Sequence, residues 1–565
     1  MVFGFNWKVP DVNDWIGLNP LLLSALGAAL LLTVAARLRN RLELSLAKHR
    51  SMAGHPRIAK RISAWLPGYS YREADAFELD GATPAVAEGR RRAFSALVTQ
   101  YGQRFQKGRQ ASLEIDTSLS DLQFVNAYRM PFQFRQLAGE QLKAGSFVKS
   151  SAGVTLTDLD DNCFYDLTGS YGVNLFGNDF YKDCIDQGAD KVRALGPVLG
   201  SYHPVVADNV ARLKSISGMD EISFHMSGTE AVMQAVRLAR YHSKRDKVLR
   251  FCGSYHGWWG DVQPGIGNPV AARDTFTLAE MSAATLRVLR HRNDIACVLV
   301  NPLQALHPNA AAHSDSALLD SSRSAGFARP AYVAWLKELR QVCDEKYIAL
   351  IFDEVFVGFR LAPGGAQEYF GVRADLVTYG KTLGGGLPIG VLCGRSGWMK
   401  RYDDTAPANI CFARGTFNSH PYVMGAMNVF LRQLDSPEIS RLYVALDETW
   451  NQRAQTLNRL LRDAEVPVQV ANLSSIWTVL YTKPACYNWL FQYYLRLEGL
   501  ALSWVGTGRI IFSLNYTQRD FDEVAARFVR AAQNMAHDGW WLSDPAISNK
   551  SIKRRILQEL LKARF

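Results

Sequence analysis

Metal-ligand patterns are missing from this chain. Its eight cysteines (Cys163, Cys184, Cys252, Cys297, Cys343, Cys393, Cys411 and Cys486) form no Cys-x-x-Cys pair, and its eleven histidines show no ligand spacing. A metal site is therefore not expected. Several of the cysteines fall in strand-like runs and read as reduced thiols in a cytosolic core. Nucleic-acid-binding motifs and internal repeats are also missing, although the formal net charge is +11. Many of the basic residues lie in 37–61 and 550–564, at the two ends of the chain. Basic residues beside an apolar segment favour anionic lipid over nucleic acid. A charged content of 21% against 48% hydrophobic residues excludes a disordered chain. The length leaves room for more than one domain.

What the sequence does contain begins with one long apolar run. Residues 15–36 carry no charge and are almost wholly apolar from Leu21. As a helix this run extends about 33 Å at about 1.5 Å per residue, which predicts a transmembrane span. Asp11 and Asp14 precede it, and Arg37, Arg39, Arg41, Lys48 and Arg50 follow. That asymmetry predicts a single-pass protein bound to membrane lipid through 15–36, with everything after Arg37 in the cytoplasm.

Residues 37–150 read as a mixed helical linker or arm, including a basic helix over 88–109 and an aromatic-rich stretch over 121–135. From Gly153 strands alternate with helices. A hairpin is expected over 153–166, and strands over 221–226, 247–252, 297–301, 347–353, 375–380 and 389–393. Helical patterns at 230–242 and 332–345 separate some of them. This alternation predicts an α/β fold with a mostly parallel sheet covered on both faces. Ligands in such sheets bind at the carboxyl ends of the strands. The expected divisions are a tail over 1–14, the span over 15–36, the arm over 37–150 and a large domain over 151–420. A smaller α+β domain over 421–538, with strands at 469–481 and 509–514, and a basic amphipathic tail over 539–565 complete the chain. Residues 307–330 read as a surface insertion.

The chemistry sits at strand ends. Lys381 follows the apolar run 375–380 and opens the glycine-rich turn 382–388. Asp353 ends the run 348–352. A lysine able to form an imine, and a carboxylate able to hold a pyridinium nitrogen, point to pyridoxal phosphate (PLP). Strand 221–226 runs into Ser227-Gly228-Thr229 and a helix start, an arrangement of backbone N–H groups, dipole and hydroxyls that suits a phosphate and equally suits a plain helix cap. Gly253-Ser254-Tyr255-His256-Gly257 offers an aromatic face for a flat ring. Gln304 follows another strand and can donate to a ring hydroxyl, and Thr416 in Gly415-Thr416-Phe417-Asn418 adds a hydroxyl.

Residues from about Gly153 to Ala536 resemble the class III, fold type I, PLP-dependent aminotransferases. The likeness is greatest to the glutamate-1-semialdehyde aminomutase branch and to the aminotransferase modules of polyketide and nonribosomal peptide synthases. The motifs that carry it are SGTEA at Ser227, GSYHG at Gly253, LIFDEVFVGFR at Leu350, GGAQEYFGV at Gly364, YGKTLGGGLPIG at Tyr379 and GTFNSHP at Gly415. The resemblance implies that Lys381 holds the cofactor and Asp353 pairs with its ring nitrogen. It further implies phosphate contacts at Ser227, Gly228 and Thr229, ring contacts at Tyr255, His256 and Gln304, and a substrate-pocket turn at Ser170 and Tyr171. Thr416 is implied to reach the neighbouring subunit's phosphate, within a homodimer. The aminomutases usually carry tryptophan where this chain has Tyr171, and the family usually has Glu-Pro where it has Asn301-Pro302.

The expected function is a membrane-anchored aminotransferase, moving an amino group from an amino-acid donor to an aldehyde, ketone or β-keto acyl acceptor, carrier-bound or lipid-like. An aminomutase that exchanges the amine within one molecule and a racemase are the enzymatic alternatives. A non-catalytic membrane scaffold is the alternative of another class. It has no need of the intact Lys381, Asp353, Thr229 and Thr416.

Overall fold

A computed structural model describes residues 20–143, 147–270, 272–303, 321, 329–502, 508–542, 544 and 546–564. Gln304 and most of the 307–330 insertion lie outside the described residues. Three short strands come first, β1 (Val148–Ala152), β2 (Thr155–Asp158) and β3 (Cys163–Asp166). They pair antiparallel in sequence order, and Leu500–Ala501 adds to β3 in parallel.

The central sheet has seven strands: β4 (Glu221–His225), β5 (Lys247–Phe251), β6 (Thr275–Leu278), β7 (Ile295–Val300), β8 (Ala349–Asp353), β9 (Leu376–Gly380) and β10 (Gly390–Gly394). Their spatial order is β4-β10-β9-β8-β7-β5-β6. β10 runs antiparallel to both neighbours, and the β9-β8-β7-β5-β6 pairings are parallel. Every residue of β7, β8, β9 and β10 is buried. That is the signature of a sheet covered on both faces, and it explains the unbroken apolar runs in the sequence. Helix Gly228–Ser243 covers part of one face through Ala231, Val232, Ala235, Val236, Leu238 and Ala239. Its start is fixed by Ser227, whose hydroxyl accepts from the Glu230 amide, and its end by Lys244 in the left-handed region.

Beyond Pro421–Gln433 the chain builds a further three-stranded sheet from Val468–Leu473, Ile476–Tyr481 and Arg509–Ile511, all antiparallel. The expected single strand over 469–481 is thus a hairpin turning at Ser474, which has positive φ. Helix Gln518–His537 starts with a reciprocal Thr517–Asp520 cap. The arm helix Pro84–Arg104 packs against this part of the chain: Arg90 donates to the Gly539 carbonyl and Tyr101 to that of Tyr493. All eight cysteines are unpaired, and Cys163 is exposed rather than in the core.

The expected membrane span is not supported. Helix α1 covers Pro20–Leu46, but no helix among the described residues is long and apolar enough to cross a membrane. Its uncharged part, 20–36, extends about 26 Å at about 1.5 Å per residue, short of the roughly 30 Å hydrocarbon core. Arg37, Arg39, Arg41 and Glu43 then interrupt the apolar pattern. The helix end is also docked on the protein, where His291 meets Glu43 at 2.9 Å. The single-pass localisation read from 15–36 falls with the span; residues 15–19 lie outside the described residues.

Candidate active site

The register between β8 and β9 pairs Asp353 with Thr378. Asp353 and Lys381 therefore emerge at the carboxyl ends of adjacent parallel strands, where ligands bind in open α/β sheets. Asp353 is 4% exposed. Its Oδ1 accepts from the Val355 amide and the Thr378 hydroxyl, each at 3.2 Å. Its Oδ2 lies 2.7 Å from His256 Nδ1. Oδ2 retains a lone pair for a further donor.

Lys381 is half-buried and sits in the left-handed region with φ 48°. Loss of hydration lowers its pKa; Asp353 opposes that shift, and the guanidinium groups of Arg509 and Arg360 reinforce it. One ring gathers all three cations. Phe356 has Lys381 Nζ 5.5 Å, Arg509 Cζ 5.8 Å and Arg360 Cζ 5.9 Å from its centroid, distances at which the ring quadrupole attracts each of them.

The Ser170–Tyr171 turn comes up against the same lysine. A Cβ placed on Gly172 would lie 2.6 Å from Phe356 Cδ2 and 3.3 Å from Lys381 Cδ, so only glycine allows this approach. Ser170 and Tyr171 are exposed and both adopt positive φ. Such a conformation costs about 1–3 kcal/mol per residue and persists only where surroundings over-determine it. Here Ser170 N donates to Thr168 Oγ1 at 3.0 Å, and Arg360 Nη2 donates to the carbonyls of Gly172 at 3.4 Å and Asn174 at 3.2 Å. Arg360 also reaches Ser475 Oγ and the Phe512 carbonyl, so one buried guanidinium ties the turn to the C-terminal sheet.

Ser227, Gly228 and Thr229 form the first turn of helix Gly228–Ser243. Gly257, with φ 89°, packs on them, since a Cβ there would stand 2.4 Å from Thr229 Oγ1. Two residues earlier, Tyr255 is 64% exposed. Thr416 and Phe417 are also exposed. Gln304 lies outside the described residues. Three residues close to Lys381 were missed in the sequence: Phe356 and Arg360 stand inside the quoted LIFDEVFVGFR motif, and Arg509 follows a short strand signal far along the chain.

The residues present fit PLP. His256 Nε2 is buried without a hydrogen-bond partner among the described residues, Asp353 keeps acceptor capacity at a strand end, and the glycines leave room for close backbone approach. A helix N-terminus carrying Ser227 and Thr229 suits a phosphate dianion.

Comparison with known proteins agrees. A family model described as aminotransferase class-III matches residues 138–532. A glutamate-1-semialdehyde 2,1-aminomutase from Alkaliphilus oremlandii is 34% identical over 313 residues, covering 52% of this chain and 68% of that protein. One from Methanocaldococcus jannaschii is 31% identical over 363 residues, covering 61% and 78%. Among solved structures, a glutamate-1-semialdehyde-aminomutase from Pseudomonas aeruginosa aligns with TM-score 0.62 at 17% identity, over 79% of this chain and 99% of that one. A transaminase with PLP bound aligns with TM-score 0.58 at 24% identity, over 70% and 92%; at these identities the likeness is one of fold. The family match extends over most of the chain, and the protein belongs to the class III aminotransferases, enzymes that use pyridoxal phosphate.

Proposed function

We propose that this chain moves an amino group from an amino-acid donor to a separate aldehyde, ketone or β-keto acyl acceptor, the last presented as a carrier thioester. The observation that carries the reading is the half-buried Lys381 at the end of β9, beside the strand that ends in the His256-bound Asp353. PLP supplies, when bound, an aldehyde that condenses with amines and a ring that accepts an electron pair. Lys381 would hold the cofactor and yield its place to a donor amine. Its depressed pKa favours the neutral amine that this exchange requires. Freed Lys381 Nζ then takes the proton from the donor's α-carbon and returns it as a positioned acid. Asp353 accepts a hydrogen bond from the ring nitrogen, with His256 donating to the same carboxylate. Gly228 and Thr229 bind phosphate through the helix start, and Tyr255 covers the ring.

The Arg509 guanidinium, drawn to the same aromatic ring as Lys381, receives the donor's carboxylate; a planar fork suits that anion. Ser170 and Tyr171 line the acceptor side. Class III aminotransferases are typically homodimers, and the exposed Thr416 and Phe417 belong to the face that meets the second copy, where Thr416 reaches the other phosphate.

A second reading, amine exchange within one molecule, is favoured by the aminomutase names of the sequence relatives. Absorption spectra of the purified protein with PLP and single amino acids separate the two. Conversion of the cofactor to its aminated form by one donor, with release of the matching keto acid, supports transfer between molecules. A spectrum that no donor shifts, together with turnover of glutamate-1-semialdehyde alone, replaces that reading with the aminomutase.

A further inference from the structure

The segment between α1 and Lys60 precedes the family-matched residues, yet it grips the loop that carries Tyr255 and His256. The loop leaves β5 at Phe251 and runs to Val270. At its start, Ser51 Oγ lies 3.6 Å from the buried Cys252 Sγ. His49 Nδ1 accepts from the Ser51 amide at 3.1 Å and lies 2.8 Å from the Ser51 hydroxyl. Ser51 Oγ and the Cys252 thiol can each serve as donor in their contact. Burial keeps that thiol protonated by raising its pKa, and burial also lowers the pKa of His49.

At the loop's far end, Lys60 Nζ donates to the carbonyls of Asn268 at 2.5 Å and Pro269 at 2.6 Å. Asn268 in turn donates to the Gly260 carbonyl at 2.9 Å and accepts from the Val270 amide at 3.0 Å, which carries the grip back toward the middle of the loop. Pro56 packs on Gly265, a position with φ 111°. Next to the loop's origin, the Ala279 amide donates to the Ala47 carbonyl at 2.8 Å. A Cβ at Gly54 would fall 2.2 Å from the His49 carbonyl oxygen, so the tight turn that aims Ser51 and Pro56 at the loop requires glycine. From the inside, the loop is held by Arg250, through the Val262 carbonyl at 2.9 Å and Ser254 Oγ at 3.0 Å, and by Arg240, which pairs with Asp261.

We propose that residues 47–60 are a strap that positions the cofactor-facing loop 252–270, with Lys60 as its positioning residue. An ammonium on two loop carbonyls fixes the end of the segment that Arg250 does not reach. Two charge-assisted hydrogen bonds released together free the loop to carry Tyr255 and His256 away from Asp353. The proposal rests on the reading of Tyr255 and His256 as cofactor contacts.

The experiment compares the full chain with its Lys60→Met and Lys60→Arg variants. Amide hydrogen exchange is measured across 252–270, and PLP affinity is measured by absorption titration. Lys60→Met is expected to speed exchange in the loop and to weaken PLP binding, each by about tenfold or more, because two charge-assisted hydrogen bonds are lost. Lys60→Arg restores both, and kcat at saturating PLP changes less than about twofold, because Lys60 touches no reacting atom. Wild-type exchange rates in Lys60→Met overturn the strap. Faster exchange with unchanged PLP affinity also overturns it, because the segment then positions nothing. A wild-type chain that binds no PLP overturns the cofactor reading, while the exchange comparison still decides the strap.

Discussion

His256 Nδ1 meets Asp353 Oδ2 at 2.7 Å, and both side chains are buried. β7 lies between β5 and β8, so the loop after β5 reaches past a whole strand to bring the imidazole to the carboxylate. Burial lowers the His256 pKa; Asp353 opposes the shift and Arg250 adds to it. A neutral ring with its proton on Nδ1 donates that proton to Asp353 and leaves the carboxylate negative toward the cofactor. Replacing His256 by Ala removes one charge-assisted hydrogen bond, roughly 1.5–3 kcal/mol. We expect kcat to fall about 10- to 100-fold, with the loss read by steady-state kinetics at saturating PLP.

Lys381→Ala is expected to lower kcat about a thousandfold or more, since the mobile base is lost. The fold is expected to survive, because the wild-type side chain is a partly desolvated amine whose burial disfavours its charged form. Circular dichroism and a thermal midpoint at or above the wild-type value check the second part. Wild-type turnover in this variant would sink the proposed chemistry.

Arg509→Leu is expected to raise KM for carboxylate-bearing donors by roughly 10- to 100-fold, the range for one ionic hydrogen-bonded pair. Amines without a carboxylate are expected to lose much less. Arg509→Lys recovers only part of the loss, since an ammonium lacks the planar fork. Equal losses for both substrate classes would reassign Arg509 to packing on Phe356.

Gly257→Ala introduces a Cβ at φ 89° directly onto Thr229 Oγ1. The expected result is weaker PLP binding by about tenfold or more, since either the loop or the phosphate-facing hydroxyl must move. Titration of the variant with PLP, followed by absorption, measures it.

Glu280 has a carboxyl pKa pushed up to about 8 by burial, with a hydrogen bond from Tyr332 partly offsetting the shift. Between the unfolded value of 4.5 and 8 the folded state holds a proton that the unfolded state has lost. Stability therefore falls as pH rises through that window. Glu280→Gln removes this term. The variant's thermal midpoint is expected to exceed the wild type's by a few degrees at pH 8.5 and to match it near pH 4.5. A constant difference across the range would contradict the assignment.

The central sheet was legible because its strands are buried on both faces, which leaves apolar runs such as IACVLV in β7. The expected strand ends fall within a residue or two of those in the structure. β6 escaped notice because it is a four-residue edge strand, only half of it buried. The stretch 469–481 read as one strand because a turn at Ser474 has no glycine or proline to mark it. The apolar run 15–36 misled because composition alone does not show where a helix starts, or that Glu43 is already docked on His291.

By itself, the sequence determined the chemistry class. Lys381 and Asp353 stand at the ends of two apolar runs, and small-residue turns follow others, because strand ends and helix starts have local signatures. Only the tertiary structure decided which distant groups share the site. Phe356 draws Lys381, Arg360 and Arg509 around one ring from three separate stretches, and Lys60 reaches loop carbonyls about two hundred positions away. Local pattern carries no term for such contacts, since cation–π attraction and a lysine on a carbonyl act through space and depend on packing that the whole chain sets.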